Sequence, residues 1–369
     1  MSEGQRLIER FIRLCEIPSP TGSERAVADD VTSQLRNLGI EVAEDDAATA
    51  GYGSGNLLAR IPGRGDGWLM LCAHLDTVPV EGPIEVVQSD GLLRSAGDTI
   101  LGADDKAGVA ALIELAADAS VAPPPFGLEL VFTVGEERGL GGAGELDLGT
   151  LRSTVGVVLD HAGPLSELVV AAPTYHQLVA AFEGAEAHAG IEPEAGRSAI
   201  VAACAAVTAM KLGRLDEETT ANVGTIAGGT AANVVPGRCR IEAEARSLDE
   251  GRASEVIGAM ADACAWAASE HECDLDIEVN ELFRGYRLPP ASPALRMARV
   301  ALAACGLEPN EVATGGGSDV NALRKRGFDC VLLSNGADRN HTAEESISLE
   351  RLAGLHRLAG AAVEAAATC

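Results

Sequence analysis

Two kinds of strand pattern divide this sequence into three stretches. In the first and last parts of the chain, short and almost wholly apolar runs such as 128–134 (LELVFTV) alternate with helical patterns. Such runs are typical of a sheet that is buried on both faces. In the middle part, runs such as 238–247 (RCRIEAEARS) alternate strictly between apolar and polar residues, as antiparallel strands with one covered face do. We therefore predict an α/β domain formed by residues 1–174 and 285–369 and interrupted by an α+β domain at 175–284.

The composition argues against several classes of partner and compartment. A formal net charge of −27 disfavours binding to nucleic acid or to an anionic membrane. No apolar run is long enough to span a bilayer, and the amphipathic N-terminal segment lacks the pattern of a signal peptide. The nine cysteines are an odd number without CxxC pairs, which indicates reduced thiols. We therefore expect a cytoplasmic protein.

Two adjacent acids, Asp104 and Asp105, lie between small residues where a helix is predicted over 105–119. Acids at a helix start complement its exposed N–H groups, so taken alone the pair indicates no function. Further residues of metal-ligand type follow apolar runs elsewhere: His74, Glu136 and Glu137, Asp160 and His341. Because open α/β sheets bind ligands at the carboxyl ends of their strands, we expect these side chains to meet at one edge.

The chemistry of this set favours a pair of transition-metal ions. Two His and a carboxylate from each of three further segments suit zinc, with cobalt or manganese as substitutes. Two such ions about 3.5–4 Å apart need a bridging carboxylate, and Asp104 is well placed for that role. The set contains no Cys, which argues against a structural zinc site.

Seven strings carry a family resemblance. They are HLDTVP (74–79), GADDKAG (102–108), GEERGLGGAG (135–144), LDHAGP (159–164), EGAEAHAG (183–190), GGGSDVNAL (315–323) and NGADRNHTAEE (335–345). In this order they resemble the co-catalytic zinc exopeptidases of the M20 metallopeptidase family, with the peptidase T-like branch the most similar. The resemblance runs from about residue 16 to about residue 355. It implies a zinc-exopeptidase-like α/β/α catalytic domain with an inserted α+β lid or dimerisation domain.

The resemblance also implies a ligand set for two Zn²⁺ ions. His74 and Asp160 would hold one zinc, Glu137 and His341 the other, and Asp104 would bridge both. The peptide bond that follows the bridging residue would be cis.

Two further residues receive catalytic roles from the same resemblance. Glu136 would be the general base, taking a proton from the zinc-bound water and later giving it to the leaving amine. Asp76 would orient the imidazole of His74 by accepting its other N–H.

The inserted domain would contribute substrate contacts and a homodimer interface. The resemblance assigns His188, Asn233 and Arg246 to substrate binding, although Arg246 could equally be a surface partner for an acid. Asp319 and Asn321 could contact substrate or cap the next helix. The implied substrate is a small peptide with a free amino terminus, as for a tripeptide aminopeptidase. N-acyl-amino-acid hydrolases and carboxypeptidases share this metal site and remain alternatives.

Three interpretations outside this enzyme class have less support in the sequence. Residues 139–144 match GxGxxG, but the helix after them would be very short for a dinucleotide site. A binding module that is merely stabilised by metal would give Glu136 no chemical role, since no proton has to move. A serine hydrolase is unsupported because the sequence contains no GxSxG.

Overall fold

The computed structural model describes residues 3–368. The α-helices in this range are α1 (Glu3–Cys15), α2 (Arg25–Asn37), α3 (Ala103–Val121), α4 (Gly141–Glu145), α5 (Ala199–Ala209), α6 (Glu250–Glu270), α7 (Pro293–Ala304), α8 (Asp319–Lys325) and α9 (Leu349–Ala366). The strands are β1 (Val42–Glu44), β2 (Leu57–Ile61), β3 (Trp68–His74), β4 (Val86–Ser89), β5 (Leu92–Ser95), β6 (Gly127–Thr133), β7 (Val155–His161), β8 (Glu167–Ala172), β9 (Thr174–Glu183), β10 (Ala187–His188), β11 (Gly213–Arg214), β12 (Thr219–Gly228), β13 (Val234–Val235), β14 (Arg238–Ser247), β15 (Asp274–Phe283), β16 (Tyr286–Arg287), β17 (Asn310–Ala313), β18 (Asp329–Ser334) and β19 (Ser346–Ser348). None of the helices in this range is long and apolar enough to cross a membrane.

The chain forms two compact units. The first unit holds the described residues up to Ala171, Leu288–Thr314 and those from Ser318 onward. The second unit holds Ala172–Arg287 and the short turn Gly315–Gly317. The insertion predicted at 175–284 lies within the second unit. The local sequence pattern does not predict that Gly315–Gly317 also belongs to this unit.

The first unit is built on a mixed sheet in the order β1-β2-β6-β3-β7-β18-β8, with β17 beside β8. The four central strands β6, β3, β7 and β18 run parallel, while β2 is antiparallel to β6 and β8 is antiparallel to β18. Strand β6 is buried at every position and β3 at all but its first. Burial of successive residues means that both faces of these strands are covered, as their apolar sequences predict.

The parallel strands deliver polar residues to one edge of the sheet. Strand β3 ends at His74, which is in register with Thr133 at the end of β6. Strand β7 carries Asp160 as its last residue but one. Because neighbouring parallel strands end at the same edge, these positions lie together by topology alone.

Helix α3 begins beside this edge and occupies the core. It is buried along most of its length and packs against α1, α9 and β3. Its first turn carries Asp104 and Asp105, and its N-cap position is Gly102, in the left-handed region with φ 76°. The peptide bond between the two acids is cis, which confirms the expectation from the sequence.

The second unit is an antiparallel sheet covered by two helices. Its strand order is β11-β12-β14-β9-β15, and α5 and α6 pack together and against this sheet. Strand β9 alternates between buried and half-buried positions over nearly its whole length. Its inward residues Leu178, Ala180 and Phe182 form a core with residues of the two helices. The alternation predicted for this part of the chain is confirmed.

The sequence pattern also predicts that Ser23 is the N-cap of the second helix and that a later helix covers 196–213, and both predictions are wrong. Ser23 does not cap α2, since the N-cap position is Glu24, whose carboxylate accepts hydrogen bonds from the N–H groups of Gly22 and Gly53 instead. A helix expected over 196–213 spans only Ala199–Ala209. Its start is fixed by the Ser198 hydroxyl, which accepts a hydrogen bond from the N–H of Val201.

Candidate metal centre

The carboxylate of Asp104 lies between two histidines. Its Oδ1 is 3.3 Å from Nε2 of His74, and its Oδ2 is 3.1 Å from Nε2 of His341. His74 is fully buried at the end of β3, whereas the side chain of His341 is about half exposed, at 47%. Each oxygen of one carboxylate therefore faces a different imidazole, as a bridging ligand requires.

A second carboxylate stands beside each histidine. Oδ1 of Asp160 is 3.4 Å from Nε2 of His74, and Oε1 of Glu137 is 2.9 Å from Nε2 of His341. Oε1 of Glu137 is buried, with the His341 ring as its polar neighbour. A buried carboxylate oxygen beside an imidazole is a suitable ligand for a cation. The structure thus brings together the five side chains of the predicted ligand set.

Glu136 also lies within this cluster. Its carboxylate forms a group of three ligand atoms with His74 and Asp160 that all lie within 4.8 Å of one another. The side chain is buried next to the ligands, which is the position that a general base for an attacking water must occupy.

The two histidines are held in a strongly negative field. Hydrogen bonding to Asp104 and Glu137 raises the pKa of His341 to about 10. Burial alone would lower the pKa of His74, but the charge of Asp160 and hydrogen bonding to Asp104 outweigh it and raise this pKa well above its ordinary value. Both rings therefore favour a positive charge at the positions where their Nε2 atoms face the carboxylates.

The carboxylates outnumber the histidines that could neutralise them. Burial raises the pKa of Asp160 and Glu136 well above the usual range, and repulsion from neighbouring acids adds to the rise for both. Burial would also raise the pKa of Asp104, but its contacts with His341 and His74 lower it overall. Added positive charge would relieve this repulsion, so the donor set of nitrogen and oxygen atoms fits divalent metal ions.

The carboxylate of Asp105 holds the backbone next to the site. Its Oδ1 accepts a hydrogen bond from the N–H of Gly108 at 3.2 Å, and its Oδ2 accepts one from the N–H of His74 at 3.3 Å. Both contacts are to backbone, so this carboxylate links the start of α3 to the end of β3.

Asp76 links the ring of His74 to the turn that carries Glu136 and Glu137. Nδ1 of His74 lies 3.0 Å from the carbonyl oxygen of Asp76 and 3.5 Å from its Oδ1. The carboxylate accepts hydrogen bonds from the N–H groups of Glu136 (3.0 Å) and Glu137 (3.2 Å) and from the hydroxyl of Thr21 (2.6 Å). The shortest contact to the ring is thus the carbonyl, while the carboxylate holds the turn.

The turn that presents Glu136 is a short 3₁₀ segment, Glu136–Arg138. It follows Gly135, which has φ 64°, and a Cβ atom there would lie 2.1 Å from the ring of Tyr52. Only glycine fits this position. The following helix α4 has five residues, too few to provide the helix N-terminus of a dinucleotide site, so the GxGxxG match is accidental.

Several site residues were not identified from the sequence. Nδ2 of Asn340 donates to Oδ2 of Asp104 at 2.8 Å, and Nδ2 of Asn335 lies 3.4 Å from its Oδ1. The fully buried Lys106 donates from Nζ to the hydroxyl of Ser19 and to the carbonyl of Leu75, at 2.8 and 2.7 Å. Asn335 directly follows strand β18, so a search of strand ends that included amides could have found it.

The two roles left open for Asp319 and Asn321 are partly resolved. Asn321 caps α8, since its side-chain oxygen accepts the N–H of Ser318 at 3.1 Å. The carboxylate of Asp319 is not part of this cap and accepts a hydrogen bond from the hydroxyl of Thr133 at 2.5 Å. Burial raises its pKa to about 6.

Comparison with known proteins identifies the family. The model of the M20 peptidase dimerisation domain matches residues 175–272, and that of peptidase family M28 matches residues 56–163. An uncharacterised protein of Bacillus subtilis, YqjE, is 37% identical over 100% of both chains. The aminopeptidase PepT of Bacillus cereus is 38% identical with a TM-score of 0.87, and a tripeptidase of Staphylococcus aureus is 34% identical with a TM-score of 0.92. Each of these two structures covers 99% of both chains.

The chain belongs to the M20 metallopeptidase family. It is therefore an enzyme, a hydrolase acting on peptide bonds, as predicted. The predicted fold class is confirmed as well, because the M20 dimerisation-domain match falls on the alternating strands of the second unit. M20 membership together with the cluster around Asp104 identifies the site as a candidate metal centre.

In the M20 dimerisation domain, His188 and Asn233 are neighbours. His188 lies in β10 opposite Val234 of β13, and the carbonyl of Asn233 accepts a hydrogen bond from the N–H of Ala189 at 2.9 Å. Both side chains are exposed. The backbones of the two residues are therefore close together at the end of one small two-stranded ladder.

Arg246 lies elsewhere in the same unit and has several partners. Its guanidinium carbon is 4.2 Å from the ring centroid of Tyr175. It donates to the carbonyl of Gly315 and to Oε2 of Glu244, each at 3.0 Å. Its Nε is buried and has no hydrogen-bond acceptor among the described residues. The contact with Glu244 is the kind that the surface-pairing interpretation predicts, while Nε remains a free donor.

Proposed function

We propose that this M20 enzyme is a cytoplasmic aminopeptidase that removes the N-terminal residue of small peptides, tripeptides above all, with two Zn²⁺ ions. The observation that carries the proposal is the position of Asp104 between two histidine–carboxylate pairs. The substrate class is supported by similarity over 99% of the chain to an aminopeptidase and a tripeptidase. Co²⁺ or Mn²⁺ would serve as substitutes, since the same N and O ligands suit them.

Each ligand has a role that its surroundings support. His74 and Asp160 would hold one ion, Glu137 and His341 the other, and Asp104 would contribute one oxygen to each. When bound, the ions lower the pKa of water and polarise the scissile carbonyl.

The proton transfers belong to Glu136. Its carboxylate is buried beside the ligands, and its backbone is held by Asp76. In this position it takes a proton from the attacking water and later delivers it to the leaving amine. Burial, which raises the pKa of Glu136, brings it towards the value that suits a group that both accepts and returns a proton.

The second unit would contribute substrate contacts and the interface of a homodimer. The exposed His188 and Asn233 would each offer a polar side chain, an imidazole and an amide, to the polar groups of a peptide. Arg246 would hold the substrate carboxylate with the N–H groups of its two Nη atoms that Gly315 and Glu244 leave over, since these two contacts use only two of the five guanidinium donors. The match to a dimerisation domain over residues 175–272 supports the homodimer.

Matched peptides distinguish this proposal from its alternatives. The zinc-loaded enzyme is assayed against a free tripeptide, its N-acetylated form and its C-terminal amide, and products are identified by mass spectrometry. We expect release of the N-terminal residue from the free tripeptide and a loss of roughly 100-fold or more in kcat/KM on acetylation, because a site built for the amine rejects the acylated form. Faster cleavage of the acetylated peptide would instead support an acyl-amino-acid hydrolase. Release of the C-terminal residue would support a carboxypeptidase.

A further inference from the structure

The buried carboxylate of Glu345 holds the backbone that carries Asp104. Its Oε2 accepts hydrogen bonds from the N–H groups of Leu101 and Gly102, both at 2.8 Å. Its Oε1 accepts one from the N–H of Asp104 itself, at 3.0 Å. The side chain is 1% exposed, so water does not compete for these three donors.

These donors have no local partner. The N-cap residue of α3 is Gly102, which has no side chain to accept the first-turn N–H of Asp104, and Leu101 lies just before the helix. An uncapped helix start leaves such groups unsatisfied, and here they are buried. Glu345 supplies the missing acceptor from a segment 241 residues away from Asp104 in sequence.

The backbone of Glu345 is fixed in turn. It directly precedes β19, in which Ile347 pairs with Leu93 of β5. Its own N–H donates to the carbonyl of Thr342, one residue after His341. Glu345 therefore joins the loop that carries His341 to the turn that carries Asp104. These two residues are in contact with each other in the site.

From this geometry we infer that Glu345 is a positioning residue, which sets the orientation of the Asp104 carboxylate so that one oxygen faces His74 and the other faces His341. The inference rests on the proposed two-metal function. Glu345 binds no metal itself, because both of its oxygens are occupied by backbone N–H groups. Its removal should therefore affect the sharing of Asp104 between two ions more than it affects either terminal ligand.

The test compares E345Q with E344Q in the full-length protein. Glutamine keeps the size of the side chain but turns an N–H₂ group towards the backbone donors, so at least one of the three hydrogen bonds is lost. Glu344 is the matched control, since its carboxylate is exposed and pairs with exposed Arg339 on the same loop. Metal-free proteins are titrated with Co²⁺ and followed by visible absorption and by magnetic coupling of the two ions, and kcat and KM are measured separately.

We expect wild type and E344Q to bind two coupled Co²⁺ ions per chain. E345Q should bind the second equivalent about 10- to 100-fold more weakly, as is usual when a residue supporting a ligand is lost, and the coupling should weaken. Its kcat should fall with little change in KM, because substrate contacts are untouched.

The contradicting results are distinct. If E345Q binds two coupled ions like wild type and only its thermal unfolding midpoint falls, Glu345 is an ordinary helix cap and the inference is wrong. If wild type itself fails to bind two ions, the proposed function fails instead. Should E345Q not fold, E345D takes its place, since it keeps the charge but is one methylene too short to reach all three donors. If both variants fail to fold where E344Q folds, Glu345 determines the fold and the inference is overturned.

Discussion

The Glu136→Gln variant is expected to bind both metal ions and to lose about 10²–10⁴-fold in kcat, the contribution typical of a general acid–base residue. Glutamine has nearly the same shape as glutamate but cannot accept a proton at neutral pH. The backbone N–H of residue 136 would still donate to Asp76, so the turn should keep its conformation. KM should change little, because the lost interaction is proton transfer in the transition state.

Two measurements make this expectation specific. Metal content is determined beside activity, because Glu136 lies within the ligand cluster and could also contribute to metal binding. Glu145→Gln serves as the control, since it makes the same charge change at an exposed position in α4, close to the turn. Near wild-type hydrolysis by Glu136→Gln with both metals bound would show that Glu136 is not the base.

Replacing Asp104 with Ala should abolish metal pairing and activity together. Each oxygen of this carboxylate faces one histidine, at 3.3 and 3.1 Å, so under the two-metal proposal its removal would take a ligand from both ions at once. Loss of a terminal ligand such as Asp160 would remove a ligand from only one ion. Hydrolysis should fall to the background rate, because the proposed shared ligand would keep the two ions at the short separation that two-metal catalysis needs.

The measurement is metal stoichiometry by mass spectrometry under native conditions, together with kcat. Asp98→Ala is the control, because it removes an exposed carboxylate from the loop that leads into α3. Full activity in the Asp104 variant would defeat the two-metal interpretation as a whole. Thermal unfolding of both metal-free variants separates a loss of metal pairing from a loss of fold.

The strand ends of the first unit could be predicted from the sequence because one physical rule governs them. Apolar runs that are buried on both faces imply parallel strands, and parallel strands end at a common edge. That rule brings His74, Asp160 and the Glu136–Glu137 turn together without further information. The family resemblance then divided them into ligands and base, a division that local pattern cannot make.

The residues that hold the site in place could not be predicted in this way. The carboxylate of Glu345 accepts a hydrogen bond from the N–H of Asp104, 241 residues earlier in the chain. The ammonium group of Lys106 donates one to the carbonyl of Leu75. Such contacts depend on tertiary structure and leave no periodic signal. Strand β12 was missed for a different reason, since its second half is exposed and contains glycine and small residues instead of an alternating pattern.

Crystals grown with Zn²⁺ and measured on both sides of the zinc absorption edge would test the central claim most directly. Two anomalous peaks are expected about 3.5–4 Å apart in each chain. One peak should lie about 2.0–2.2 Å from ligand atoms of His74 and Asp160, the other equally close to those of Glu137 and His341, with one oxygen of Asp104 on each. A single peak, or a pair of peaks that leaves Asp104 without contact to both, would contradict the proposed two-metal site.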